Sequence, residues 1–247
     1  MRFITMGSEE CPTIMFIPGL SATAESCYGK FGRSLPDHWN IVLCELDGHY
    51  AKSPAFQSIK DEREQIESYV LENYAGRIHG MIGLSLGGTI AVSVLSRDKI
   101  QIERTVLDAA FCVDMGILRG CYSWFFPKAV ARVRDGKYMP GFLIDLFMGR
   151  GNRSMVEMIY PGITVETCRN AYRDVYSNQI SDNLRNTSSL VEFWRGSREV
   201  YPEKSVALLK KQLLAMTERV FPQMGHCQFL HEYPEEYAAL MDQTMRK

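Results

Sequence analysis

Residues 79–96 read HGMIGLSLGGTIAVSVLS, and the pentapeptide Gly83-Leu84-Ser85-Leu86-Gly87 at their centre decides the fold. The run Arg77–Gly83 leading into it has the length and apolar content of a strand. The small, apolar run Leu86–Leu95 that follows suits a helix packed tightly on a sheet. A G-x-S-x-G segment between strand and helix is a sharp turn at which side chains on the flanking positions would strike neighbouring backbone. Such a turn exposes the serine hydroxyl. It also aims the N-terminus of the next helix at the group being attacked, where the helix dipole favours developing negative charge. A capping serine in a Gly-rich turn and a phosphate-binding loop are the competing readings. The chain has no G-x-x-x-x-G-K-S/T, and two strand runs precede the motif, so the spacing favours a nucleophile at Ser85.

Outward from this turn, strand-like runs alternate with helical ones. Thr13–Ile17, Asn40–Leu46, Arg77–Gly83 and Ile102–Leu107 read as strands. Ile59–Tyr74 reads as a helix, with Ile66, Val70 and Leu71 at helical spacing. This alternation predicts a mostly parallel, doubly wound α/β sheet. From about Cys112 to Asn186 no convincing strand occurs, and the stretch is rich in aromatics, among them Tyr122, Trp124, Phe125, Phe126, Phe147, Tyr172 and Tyr176. Alternation then resumes with a strand at Leu190–Trp194, a helix at Glu203–Leu214, a short strand at Arg219–Pro222 and a closing helix at Glu232–Met245. The expected organisation is an α/β core of residues 1–111 and 187–247, interrupted by a helical insertion over 112–186.

A serine needs a base, and histidine is the side chain poised for that near neutral pH. Of the five histidines, His79 lies inside a strand, His38 in a loop, and His231 about a turn beyond the segment Gln223–Cys227. His226 sits in that segment, after the last strand, and loops at the carboxyl ends of parallel strands converge on one edge. His49 is at the same edge and is expected to be structural or to line the site. The base in turn needs an acceptor for its second ring nitrogen. Glu199, 27 residues before His226 on the neighbouring strand's loop, is the preferred acid, with Asp108 at the end of the fourth strand as the alternative. Pro18-Gly19-Leu20-Ser21 can bring a backbone N–H to an oxyanion, with a second from Leu86.

Composition narrows the partners. The chain has 28 basic and 29 acidic side chains and a net charge of −1, with no basic stripe, so nucleic acid is not expected. Seven scattered cysteines without a C-x-x-C pair suit free thiols in a reducing cytoplasm rather than a disulfide framework or a metal site, and no cofactor is expected. MRFITMGSEE lacks the apolar core of a secretory signal. No run reaches the ~18 consecutive apolar residues of a membrane span.

Taken together, IPGLSAT, ELDGHY, GLSLGG, TVLDAAF, FWRGSRE and MGHCQF resemble, in order, the motifs of the α/β-hydrolase superfamily, especially compact bacterial members with a helical cap. The resemblance spans nearly the whole chain. It implies Leu20 and Leu86 as oxyanion donors and the order nucleophile, acid, base. The chain departs from the pattern in having Pro18 where many members carry histidine, Glu199 where aspartate is usual, and only MRFITMG in place of the first two strands.

The expected activity is hydrolysis of a carboxylic ester of a small molecule through an acyl-enzyme on Ser85. C–C-bond, thioester or amide cleavage by the same residues, or a weakly catalytic binding protein, are the alternatives. Aromatic and Met-rich residues of the insertion (Met115, Met139, Met148, Met155, Met158) either pack the insertion's own small core or line a pocket for an apolar or aromatic substrate, with Ser21, Trp124, Phe125 and Phe126 as lining candidates. Arg119, Arg132, Arg134, Arg150 and Arg153 are candidates to recognise an anionic substrate group, with exposed helix charges as the default reading.

Overall fold

The computed structural model describes residues 1–247 except 33, 34, 36, 143, 144, 146–157 and 178, and the side chains of 30–32. Phe147, Met148, Arg150, Arg153 and Met155 therefore lie outside the described residues.

The strands are β1 (Arg2–Met6), β2 (Thr13–Ile17), β3 (Asn40–Glu45), β4 (Arg77–Leu84), β5 (Gln101–Asp108), β6 (Leu190–Gly196) and β7 (Thr217–Phe221). They form one sheet in the order β1-β3-β2-β4-β5-β6-β7. β1 runs antiparallel to β3, and the other neighbours are parallel. Helices α1 (Ala24–Gly32), α2 (Ile59–Asn73) and α3 (Leu86–Leu95) follow strands of the first half, as the alternation predicts. Between β5 and β6 lie α4 (Arg119–Arg134) and α5 (Val165–Ser177), flanked by 3₁₀ turns at Gly116–Leu118 and Asp182–Asn186. The chain ends with α6 (Val200–Leu209), α7 (Gln228–Glu232) and α8 (Pro234–Arg246).

Both faces of the sheet are buried. Along β2, Ile14 and Phe16 pack toward α1 and α8, whereas Met15 and Ile17 enter the opposite core with α2 and α3. Ile41 and Leu43 of β3 share the first face and Val42 and Cys44 the second, which is the period of two expected of a strand covered on both sides.

The helices near the carboxyl end differ from expectation. α6 starts at Val200 rather than Glu203 and stops at Leu209, because Glu199 is its N-cap residue and Pro202 fits its first turn. The closing helix, α8, begins at Pro234 rather than Glu232, because Pro234 has no N–H to continue the preceding turn, and a short helix, α7, comes before it.

Candidate active site

Two serines show how the fold separates a structural hydroxyl from a reactive one. Ser58, before α2, has an extended backbone (φ −158°, ψ 160°), and its side chain accepts from the Asp61 N–H as a cap should. Ser85 holds the same position before α3 but at φ 53°, ψ −110°, and its side chain makes no cap bond. A non-glycine residue there is strained, and such strain persists only where the surroundings impose it. The flanking glycines explain the imposition. A Cβ on Gly87 would lie 2.1 Å from the Ile17 carbonyl oxygen, and one on Gly83 would lie 2.4 Å from that of Gly87. The Ser85 N–H donates to the Asp108 carbonyl at 2.7 Å, fixing the turn to β5.

The freed hydroxyl meets His226: Ser85 Oγ lies 2.9 Å from Nε2. On the other side of the ring, Nδ1 is 2.6 Å from Glu199 Oε1. A carboxylate accepts only, so Nδ1 carries the proton and Nε2 is left to receive one from Ser85. The other Glu199 oxygen accepts the Gly196 N–H at 2.6 Å, and both carboxylate oxygens are therefore engaged.

The loops after β6 and β7 are bound together, which brings acid and base into register. Ser197 N–H donates to the Phe221 carbonyl at 2.9 Å and Arg198 N–H to that of Met224 at 3.0 Å. Gly196 lets the loops touch, since a Cβ there would lie 2.2 Å from the Met224 oxygen.

Asp108 is placed elsewhere. Its Oδ2 accepts the hydroxyl of fully buried Tyr237 at 2.9 Å. Burial, then the charge of Glu199, push its carboxyl up to about 7 against the opposing pull of Tyr237 and His226. Burial lowers the His226 imidazole. The hydrogen bond and charge of Glu199, with the charge of Asp108, outweigh that, so its pKa stands above the ordinary histidine value.

Three of the other four histidines are held by partners elsewhere, and the fourth, His231 in α7, does not line the cavity. His38 pairs with Asp242, His79 pairs with Glu103 and Met245, and His49 is fully buried against the Asp47 carbonyl without lining the site. Cys27 and Cys227 reach the cavity, but burial pushes the Cys27 thiol up to about 12 and Cys227 well up also, so neither is a thiolate at neutral pH.

Above Ser85 opens a cavity of about 1300 Å³. Leu20, Ser21 and Leu86 line it, and Gly19 brings the loop after β2 against the elbow, its Cβ position 3.6 Å from Ser85 Cβ. Leu86 opens α3, where a backbone N–H has no partner within the helix. Ser21 is also at positive φ (68°), and its carbonyl accepts the Tyr160 N–H at 2.6 Å, which ties the segment before α5 to this loop.

Of the aromatic candidates, Phe126 lines the cavity; Phe125 does not, and Trp124 is 61% exposed on the outer side of α4. Met115 and Met158 also line it. Phe111, Tyr172, Tyr176 and Tyr201 complete an aromatic wall that sequence reading did not single out as lining. Tyr176 packs on Phe111, Tyr122, Phe126 and Tyr172 with ring centroids 5.3–5.9 Å apart, joining the segment after β5 to α4 and α5. The i, i+4 spacing of Tyr122 with Phe126, and of Tyr172 with Tyr176, was the signal for that shared face.

A mostly parallel sheet in this order, with a serine on the strained turn after its central strand, is the α/β-hydrolase fold, and this chain has it. No protein-family model matches the chain. It is 23% identical over 251 residues, covering 93% of both chains, to pimeloyl-(acyl-carrier protein) methyl ester esterase of Nitrosospira multiformis. Among solved structures it is similar to an α/β-hydrolase family protein from Desulfitobacterium hafniense, with a TM-score of 0.86, 22% identity and coverage of 98% of this chain and 99% of that one. A carboxylesterase of Nitrososphaera gargenis aligns with a TM-score of 0.77 at 16% identity, covering 97% and 92%.

Proposed function

We propose that this chain is a carboxylesterase acting through a Ser85–His226–Glu199 triad and an acyl-enzyme. The observation that carries the reading is the continuous relay from Ser85 Oγ through the imidazole to Glu199, with separations of 2.9 and 2.6 Å. His226 Nε2 takes the hydroxyl proton as Ser85 attacks the ester carbonyl. The N–H groups of Leu20 and Leu86 hold the oxyanion, His226 returns the proton to the leaving alcohol, and water then releases the acid. Glu199 keeps Nδ1 protonated throughout and balances the imidazolium. No step calls for a metal or cofactor.

Residues 112–186 serve as a cap whose aromatic wall, with Met115 and Met158, recognises an apolar or aromatic acyl group. The relative from Nitrosospira multiformis is named for a methyl ester, which agrees with this bond type. All seven cysteines are free, in keeping with a reducing cytoplasm.

A p-nitrophenyl ester series tests the reading. Each methylene buried against the wall contributes at most about 0.8 kcal/mol, so kcat/KM should rise up to about fourfold per added carbon from acetate until the cavity is filled. Absence of turnover across the series, or a steady fall from acetate onward, would contradict it.

A further inference from the structure

The outer face of α4, with the 3₁₀ turn that leads into it, has no place in the ester chemistry. Ile117 of that turn and Cys121, Trp124, Lys128 and Arg132 of α4 follow one another at spacings of three or four, and all are exposed. Ile117 is 97% exposed and Trp124 61%, and Leu118 and Tyr138, whose carbonyl accepts from Arg132, are exposed too. The opposite face of the same helix holds buried Phe126, which lines the cavity.

Charge on this stretch is one-sided. Residues 115–134 contain Arg119, Lys128, Arg132 and Arg134 and no Asp or Glu, in a chain whose net charge is −1. Lys128 lies 3.4 Å over the Trp124 ring. Of the flanking carboxylates, Asp114 accepts the Gly116 N–H, and Asp135 pairs with Arg134 and Lys137.

From this combination we infer that the outer face of α4 docks the protein reversibly on an anionic lipid surface. Protruding aliphatic and aromatic side chains beside Lys and Arg match a bilayer boundary: the apolar groups enter below the headgroups and the cations meet lipid phosphates. Tryptophan favours that depth, one edge apolar and its N–H in the wet layer. An acidic protein would pair the cations but would leave an aliphatic group as prominent as Ile117 without hydrocarbon to enter. The docked helix is also a wall of the cavity, which Tyr122, Phe126 and Val130 of its opposite face line. An apolar ester could thus pass from lipid to Ser85, a consequence that rests on the esterase reading, whereas docking itself does not.

Co-sedimentation of the full chain with vesicles tests the inference. Vesicles of equal parts phosphatidylglycerol and phosphatidylcholine should pull the protein down. Pure phosphatidylcholine should bind at least about tenfold more weakly, and about 0.5 M NaCl should release the protein, the screening length there being roughly 4 Å. Trp39 and Trp194 are buried, so a blue shift of emission on binding would report Trp124. Ile117→Asp, and Lys128→Glu with Arg132→Glu, should each weaken vesicle binding at least about tenfold without changing hydrolysis of soluble p-nitrophenyl acetate.

No binding to anionic vesicles, equal binding to both compositions, or undiminished binding by these variants would overturn the assignment. Capture by an acidic polypeptide such as poly-glutamate in the absence of vesicle binding would overturn it in favour of a protein partner. Vesicle binding without any ester turnover would leave docking standing and refute the esterase reading alone.

Discussion

Ser85→Ala is expected to lower kcat for p-nitrophenyl esters by about 10⁴–10⁶, the loss that follows when a serine nucleophile acting as one unit with its base is removed. The far-ultraviolet circular dichroism and the unfolding midpoint should stay as in the parent chain. The Ser85 side chain makes no cap bond, and alanine inherits the same φ, so little of the fold depends on the hydroxyl. Residual turnover near background would come from the oxyanion donors alone. Full activity would place the chemistry on another residue.

Glu199→Gln should be nearly as damaging, at about 10⁴ in kcat, while Asp108→Asn should cost less than about tenfold. Both Glu199 oxygens accept N–H donors, from His226 and from Gly196. An amide has one oxygen to offer. If it faces Gly196, its NH₂ meets Nδ1 and drives the ring proton to Nε2, where the imidazole can no longer accept from Ser85. If it faces His226, the NH₂ opposes the buried Gly196 N–H. Asparagine at 108 can still accept from Tyr237, and a carboxyl pushed up to about 7 is already part neutral at working pH.

The pH profile separates the two carboxyls further. The base must be neutral to act, so the raised pKa of His226 sets the acid limb of kcat/KM above the ordinary histidine range, with activity lost as pH falls through it. Removing either negative charge lowers that pKa and moves the limb to lower pH, more for Glu199, which bonds the ring, than for Asp108. The reverse ranking in rate would move the acid role to Asp108.

The fold and the placement of these groups were legible because their signals are local. Glycines on either side of Ser85 announce a turn that other residues cannot make, and Gly225-His226 follows the last strand run of an alternating chain. Glu199 could be ranked over Asp108 because a loop on the strand next to that of the histidine needs no detour.

What stayed hidden depends on distant partners. Nothing near Asp108 in sequence shows that Tyr237, 129 residues on, will hold its carboxyl. Within the run Tyr122–Phe126, composition marks every aromatic alike, and only the helical phase sends Tyr122 and Phe126 inward and Trp124 out. The start of α6 was misplaced because its N-cap is a glutamate, an uncommon choice made here by a side chain committed to His226.

The measurement that bears most directly on the account is labelling of the folded chain with a fluorophosphonate, followed by mass mapping of the peptides. The expected result is one phosphonyl group per chain, on the peptide carrying Ser85, with labelling slowed steeply below the pKa of His226 and absent in Ser85→Ala. Failure of the folded protein to react, or a label on any other residue, would contradict it.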